Sequence, residues 1–294
     1  MLEFQKIDIS LREKANAFLR QKNYFLCDYN FTDLFIWSEA YGTRIAFDDD
    51  FMYIKTGGEK NCRFTAPIGT GDYKKAVENL ADEAHSVGVP LKIHSVTPEI
   101  KAKIEDAFGE RFEFTLRRDM CNYIYSAESM ITLKGKKLHG KRNHINKFLA
   151  EYEGRWTYEH LCEENKKAFM DYELKWCKNG HEDVEAEIKV VSKALENMDA
   201  LQIKGGIMRL DGQVIGATLG SESSEDIFVV HIEKAEADIQ GAYQMINQQF
   251  AIHNFEKYRY INREEDLGVE GLRKAKLSYY PEMIAESYCG EEKP

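Results

Sequence analysis

The sequence predicts an α/β (α+β) protein of two tandem domains, each a mixed central sheet flanked by helices. Three observations carry this. A chain of 294 residues is long enough for two separate cores. The stretch from Asp226 to Pro281 reads as strand, turn, helix, strand, loop and helix, a βαβα unit that favours two neighbouring parallel strands. The first half repeats a similar order: strands, helix, strand, helix, strands.

The βαβα unit is the organising stretch. Ile227-Phe228-Val229-Val230 is a short apolar, β-branched run, as in a buried strand. After a polar turn, Ala242, Met245, Ile246 and Phe250 recur at helical spacing. Tyr258 to Ile261 reads as the second strand, Asn262 to Gly268 as a charged loop, and Val269 to Tyr280 as a helix stopped by Pro281. Ligands of open α/β sheets bind at the carboxyl ends of strands. The polar groups there are Glu233, Gln240, Gly241, Asn262, Arg263, Glu264, Glu265 and Asp266. Backbone amides near Gly241 are placed to hold a phosphate. Arg273, Lys276 and Tyr280 fall on one face of the last helix at steps of three and four. These charges either serve group transfer from a phosphate-bearing donor or only solvate a surface.

The first domain is expected over residues 1–127. Ser10-Leu11-Arg12-Glu13 has the form of a capping box before a helix with Leu11, Ala15, Phe18 and Leu19 inward. Phe31, Leu34, Phe35 and Trp37 belong to the core or line an acceptor pocket. Arg44 to Phe47 and Phe51 to Lys55 form a hairpin on Asp48-Asp49-Asp50, a solvated turn rather than a metal site. Tyr73 to Val87 carries a regular helical stripe. Pro98 opens a helix that Gly109 ends. Arg111 to Leu116 and Asn122 to Tyr125 close the domain as strands.

The second domain, 128–294, opens on Lys134, Lys136, Lys137, Lys141, Arg142 and Lys147, a segment without an acid in a chain of net charge −10. Leu138, Ile145, Leu149 and Tyr152 form its apolar stripe. Arg142 lies within that stripe, so it needs either a carboxylate partner or a phosphate ligand. Arg155 to His160 reads as a strand and Glu163 to Lys178 as a helix with Phe169, Tyr172 and Trp176 inward; Gly180 breaks it. Val184, Ile188, Val191, Leu195 and Met198 mark a second amphipathic helix. Asp211-Gly212 joins two strands as a hairpin.

The balance of 43% hydrophobic and 31% charged residues is that of a soluble globular protein. General affinity for nucleic acid is not expected at this charge, so any such site is a local patch. The six Cys show no CxxC pair, and Met1-Leu2-Glu3-Phe4 does not open a signal peptide. A cytoplasmic location with reduced thiols is the expectation. No apolar run approaches membrane-spanning length. No Ser-His-Asp signature, Walker loop or zinc spacing is present, so no metal is expected.

The segment GLRKAKLSYYPEMIAESY, Gly271 to Tyr288, resembles the C-terminal synthase domain of phosphatidylglycerol lysyltransferases and the related Fem-type peptidyltransferases. LKGKKLHGKRNHINKF, Leu133 to Phe148, is similar to the basic helix that opens that family's second domain. The resemblance covers the whole chain, most strongly from about residue 133. It implies two GNAT-like acyltransferase domains, the first degenerate. It also implies a Lys followed by an aromatic and Pro after the last helix, here Lys276, Tyr279 or Tyr280, and Pro281. The turn Ala237 to Ala242 departs from the usual R/Q-x-x-G-x-G/A pattern, with one Gly and an acid, which puts ordinary acetyl-CoA binding in doubt.

On this resemblance Glu233 is the candidate base, and Lys276 and Tyr280 are the candidate donors to the oxyanion and leaving group. Lys141, Arg142, Gln240, Gly241 and Arg273 would hold the donor's phosphates. His231, Asn262, Arg263, Glu265 and Asp266 would shape the acceptor side. No cofactor would be tightly bound. Aminoacyl-tRNA or an acyl-CoA would be the cosubstrate, with tRNA meeting the 134–147 segment. A lipid or peptide would be the acceptor, with peripheral membrane contact. The alternatives are an acetyl-CoA-dependent N-acetyltransferase and a non-catalytic ligand-binding protein. Oligomeric state stays open.

Overall fold

The computed structural model describes residues 2–177 and 184–294. Gly180 and Lys178, read above as a helix end, lie outside the described residues. The chain folds into two compact units. The first comprises residues 1–122, 265–270 and 284–294; the second comprises 123–264 and 271–283.

The sheet of the first unit takes the order β1 (Gln5–Lys6), β2 (Arg44–Phe47), β3 (Phe51–Thr56), β4 (Arg63–Thr65), β6 (Lys92–Val96), β15 (Tyr288–Glu292) and β7 (Phe112–Leu116), with β5 (Ile68–Gly69) paired to β3. All its registered pairs are antiparallel except β4 with β6. The expected hairpin forms between β2 and β3. Its turn is closed by Asp48, whose Oδ1 accepts from the amides of Asp50 and Phe51 at 2.9 and 2.7 Å. Helices α1 (Arg12–Leu19), α2 (Phe31–Ile36), α3 (Ser38–Tyr41), α4 (Tyr73–Ser86) and α5 (Pro98–Phe108) belong to this unit. Thr97 caps α5, and Gly109 at φ 58° ends it. The start of α1 differs from the Ser10 capping box: Asp8 caps a preceding single turn by accepting from Ser10, one turn earlier. Phe31, Leu34 and Phe35 are buried, whereas Trp37 stacks on exposed Tyr41 at 5.5 Å.

The second unit holds a seven-stranded sheet ordered β14 (Met283–Ala285), β8 (Asn122–Ser126), β13 (Tyr260–Asn262), β12 (Ile227–Ala235), β11 (Gln213–Glu222), β10 (Lys204–Leu210) and β9 (Trp156–His160). Helices α6 (Ala127–Thr132), α7 (His139–Glu151), α8 (Lys166–Cys177), α9 (Val184–Glu196), α10 (Met198–Leu201), α11 (Ala242–Asn254) and α12 (Glu270–Leu277) accompany it. Asp211 at φ 50° and Gly212 at φ 80° make the β10–β11 turn, as the Asp-Gly pair dictates. Ala242, Met245, Ile246 and Phe250 of α11 are buried, and Phe228, Phe250 and Phe255 pack ring on ring at 5.4–5.8 Å.

Two strands leave the places that a division after residue 127 gives them. β8 pairs antiparallel with β13, Ile261 opposite Tyr125. β15 lies between β6 and β7. Tyr123, Ile124 and Tyr125 are all buried, so β8 needs apolar cover on both faces and takes an interior place in its sheet. The stripe of α7 is Leu138, Ile145 and Phe148; Leu149, expected inside, is exposed.

Candidate active site

β12 and β13 are the parallel pair that the sequence predicts, and they stay together only briefly. The register runs Ile227 to Tyr260, Phe228 to Ile261 and Val229 to Asn262. β13 then ends while β12 continues to Ala235. Past that point side chains bridge the two. Nη2 of Arg263 donates to Oε1 of Glu233 at 2.6 Å. The next residue, Glu264, turns back at φ 55° with its amide bonded to Oδ1 of Asn262 at 2.7 Å. Its carboxylate lies 2.8 Å from Nδ1 of His231. Two successive loop residues thus clip two positions of β12, two residues apart.

Around the Glu233–Arg263 pair the elements deliver a mixed cluster. Asn247 of α11 donates to the second oxygen of Glu233 at 2.7 Å. Lys276 of α12 is buried and donates from Nζ to the Arg263 carbonyl at 2.5 Å, while its own carbonyl accepts from the Tyr125 hydroxyl at 2.7 Å. Arg263 lies 4.9 Å from the Tyr279 ring centre and 5.7 Å from that of Tyr125. Lys141 of α7 lies 4.0 Å from the Tyr279 ring centre and donates to Oγ of Ser278 at 2.6 Å. Burial, then the repulsion of Arg263, lowers the Lys141 pKa to about 8 against the pull of Glu233. Burial raises the Tyr279 and Tyr125 hydroxyls above their ordinary range, so both stay protonated. Arg263 and Lys141 thus gather at one carboxylate, Glu233, in a half-buried site, and Lys276 holds the Arg263 backbone. Two buried atoms here, Nη1 of Arg263 and Oδ1 of Asn247, have no hydrogen-bond partner among the described residues. Such a cluster suits charge that develops on an oxygen.

The remaining sequence candidates fall elsewhere. Tyr280 is exposed, at φ 53°, and Lys137 lies 5.5 Å from its ring centre; the inward aromatic is Tyr279. Among the described residues Arg142, half-buried, pairs with no carboxylate. Its Nη1 donates to the carbonyls of Leu133 and Gly135, at φ 48° and 91°, and so secures the turn before α7. Gly241 caps α11 at φ 90°, but a Cβ there would lie 2.6 Å from the His144 carbonyl. Its lack of a side chain lets α7 approach. Gln240 is exposed and Arg273 half-buried. Glu265 and Asp266 belong to the first unit, where Glu265 accepts from Sγ of Cys27 at 2.9 Å and buried Asp266 accepts from Arg118 at 3.2 Å.

His231 sits between Glu264 and Ser221, whose Oγ is 2.8 Å from Nε2. This serine–histidine–carboxylate line has no counterpart in sequence spacing. Ser221 is only 1% exposed, so its hydroxyl is a hydrogen-bond partner and not a nucleophile within reach of substrate. Burial pushes the His231 pKa down to about 3. A separate buried group joins Lys234 to Glu173 and, at 2.9 Å, to Glu187, beside Cys177. The sulfur and two carboxylates come within 4.8 Å of one another, and the Lys234 ammonium bridges the two carboxylates. Asn247 and Ser278 were not singled out in the sequence. Asn247 had a signal: it is three residues before Phe250 and four before Ala251, hence on the buried face of α11.

The family model for the phosphatidylglycerol lysyltransferase C-terminal domain matches residues 20–290. The chain belongs to this family. An uncharacterized protein of Mycoplasmoides gallisepticum is 28% identical over 175 residues, which are 57% of this chain and 54% of the relative. The chain therefore matches about half the length of that curated relative. A crystal structure of a conserved protein of unknown function from Bacteroides thetaiotaomicron is 37% identical, with a TM-score of 0.95 over 100% of both chains. The structure of L-PGS from Bacillus licheniformis superposes with a TM-score of 0.65 at 16% identity, covering 96% of this chain and 91% of that one. A tandem GNAT protein from the clavulanic acid biosynthesis pathway does so at 0.53 and 10% identity, covering 100% and 99%. The fold of this family member is a tandem GNAT fold.

Proposed function

We propose that the protein is an acyltransferase that moves an aminoacyl group from aminoacyl-tRNA to a lipid or peptide acceptor, with its reaction centre in the second unit. The supporting observation is the cluster at the end of β12, where Arg263 and Lys141 gather at Glu233 and Nη1 of Arg263 has no hydrogen-bond partner among the described residues. An ester carbonyl entering there would meet donors before it gained negative charge. Lys276 acts through the Arg263 carbonyl and holds the loop that aims Arg263. Lys134, Lys136, Lys137 and Lys147 are exposed and suit phosphate contacts. No helix among the described residues is long and apolar enough to cross a membrane, so a lipid acceptor would be met at the membrane surface.

The acyl-CoA alternative needs accessible amides at the start of α11. Gly241 is buried under α7, which favours the aminoacyl donor. The test is transfer of radiolabelled amino acids from a charged tRNA pool to phosphatidylglycerol and to peptide amines, beside acetyl-CoA controls. Product from charged tRNA alone supports the reading; product from acetyl-CoA alone replaces it. Charge reversal of Lys134, Lys136 and Lys137 should shallow the salt dependence of tRNA binding, by about 0.7–0.9 in log–log slope for each phosphate left without its lysine.

A further inference from the structure

Proton transfer at this site has no obvious carrier among the residues that sequence reasoning favours. Both oxygens of Glu233 are engaged, one by Arg263 and one by Asn247. His231 is fixed between Ser221 and Glu264, its side chain closed to solvent. Lys276 is buried, with its ammonium on the Arg263 carbonyl. The tyrosine hydroxyls of Tyr125 and Tyr279 are held protonated by burial.

Lys141 is differently placed. It is half-buried and has no carboxylate ion-pair partner among the described residues. It donates to Oγ of Ser278, whose hydroxyl in turn donates to the Ala275 carbonyl at 2.6 Å. That fixed hydroxyl and the Tyr279 ring at 4.0 Å hold the amine at the edge of the cluster. The charged and titratable groups facing it are Arg263 from the loop after β13, Glu233 from β12 and Tyr279 after α12. The cation is nearer balance than the acid, because Glu233 is already paired with Arg263.

We propose that Lys141 is the proton-transfer residue of the reaction, an inference that rests on the aminoacyl-transfer reading above. Its neutral amine takes a proton from the attacking acceptor nitrogen or oxygen as the new bond to the acyl carbon forms. The tetrahedral centre collapses, the bond from acyl carbon to ribose oxygen breaks, and the Lys141 ammonium returns the proton to that oxygen. The products are the acylated acceptor and a free ribose hydroxyl, and the lysine ends as it began. A depressed lysine pKa, about 8, places both protonation states within reach near neutral pH.

Two measurements on the full chain decide it. The first is a titration of protein carrying 13C-labelled lysine, with Lys141→Arg used to assign the Lys141 signal. A signal titrating two or more pH units below the other lysines supports the proposal; one titrating with them overturns it. The second is transfer rate. Lys141→Arg, which keeps the charge but cannot lose its proton, should fall about 100-fold in kcat with little change in KM. Lys141→Ala should be rescued by small alkylamines in order of their basicity. Wild-type transfer with an unimpaired Lys141→Arg variant, within about threefold, overturns the role of Lys141 and leaves the functional reading standing. A wild type that transfers nothing from aminoacyl-tRNA overturns the functional reading, and the role of Lys141 with it.

Discussion

In the first unit β4 and β6 run parallel, Thr65 opposite His94; in the second, β12 and β13 do. The surroundings of the two pairs differ. His94 hydrogen-bonds hydroxyls, with Nδ1 2.8 Å from Oγ of Ser95 and Nε2 3.4 Å from Oγ1 of Thr65; Asp28 lies 3.9 Å from Nδ1, and burial lowers the His94 pKa. A cavity of about 480 Å³ opens over this part of the sheet, and its lining includes Trp37, Tyr41, Asp28, Asp33, Arg63 and Arg117. At the end of β12 an ion pair, two further lysines and an asparagine gather instead. The backbone arrangement is shared, so it does not define the candidate reaction centre. Residues from α7, α11, α12 and the loop after β13 do, by converging on one strand end.

Substitutions can break or sharpen this contrast. Arg263→Ala has the largest expected effect, because it leaves Glu233 buried beside Asn247 without its cation. Chemical denaturation should register a loss of about 3–5 kcal/mol. A loss below about 1 kcal/mol would mean that the pair does not hold the splayed strands. Gly241→Ala forces a side chain to φ 90° and against the His144 carbonyl, and should cost about 1–3 kcal/mol by the same measurement. A neutral result would show that α7 yields freely.

His231 links the contrast to pH. Its folded pKa, about 3, lies below the ordinary 6.5, so the unfolded chain binds the proton first as pH falls. The stabilisation from burying the neutral ring is complete above pH 6.5 and is lost between there and pH 3, by up to about 1.4 kcal/mol per pH unit. The wild type should therefore lose stability more steeply below pH 6.5 than His231→Gln. Parallel stability curves for the two proteins would refute the assignment. Thr65→Val, which removes one weak hydroxyl contact to His94 in the first unit, should cost about 1 kcal/mol or less. A loss as large as that of Arg263→Ala would erase the distinction between the two strand pairs.

Much of the candidate site was legible in sequence as a set of residues, though not as a set of contacts. Glu233, Arg263 and Lys276 were visible because they follow apolar strands or sit on a helix face, where polar groups collect at strand ends. Their partners were not. Glu233 and Arg263 are thirty residues apart, and Lys141 meets Ser278 across 137 positions. The choice between Tyr279 and Tyr280 shows the limit at short range. Both follow α12, and one backbone angle, φ 53° at Tyr280, leaves it outside and its neighbour within. Arg142 shows it again: its position on the α7 stripe gave the need for a partner, and the turn at Leu133 and Gly135 supplied carbonyls instead of an anion.

The sequence by itself determined the local elements. Apolar spacing set α4 and α11, Pro98 and Gly109 bounded α5, Asp211-Gly212 made the β10–β11 hairpin, and the βαβ spacing made β12 and β13 parallel. These follow from periodicity and allowed backbone angles, which act over a few residues. The tertiary structure alone decided where β8 and β15 pair and which cations gather at Glu233. A strand's period shows that it needs cover but not which edge supplies it, and a charge shows that it needs compensation but not from where.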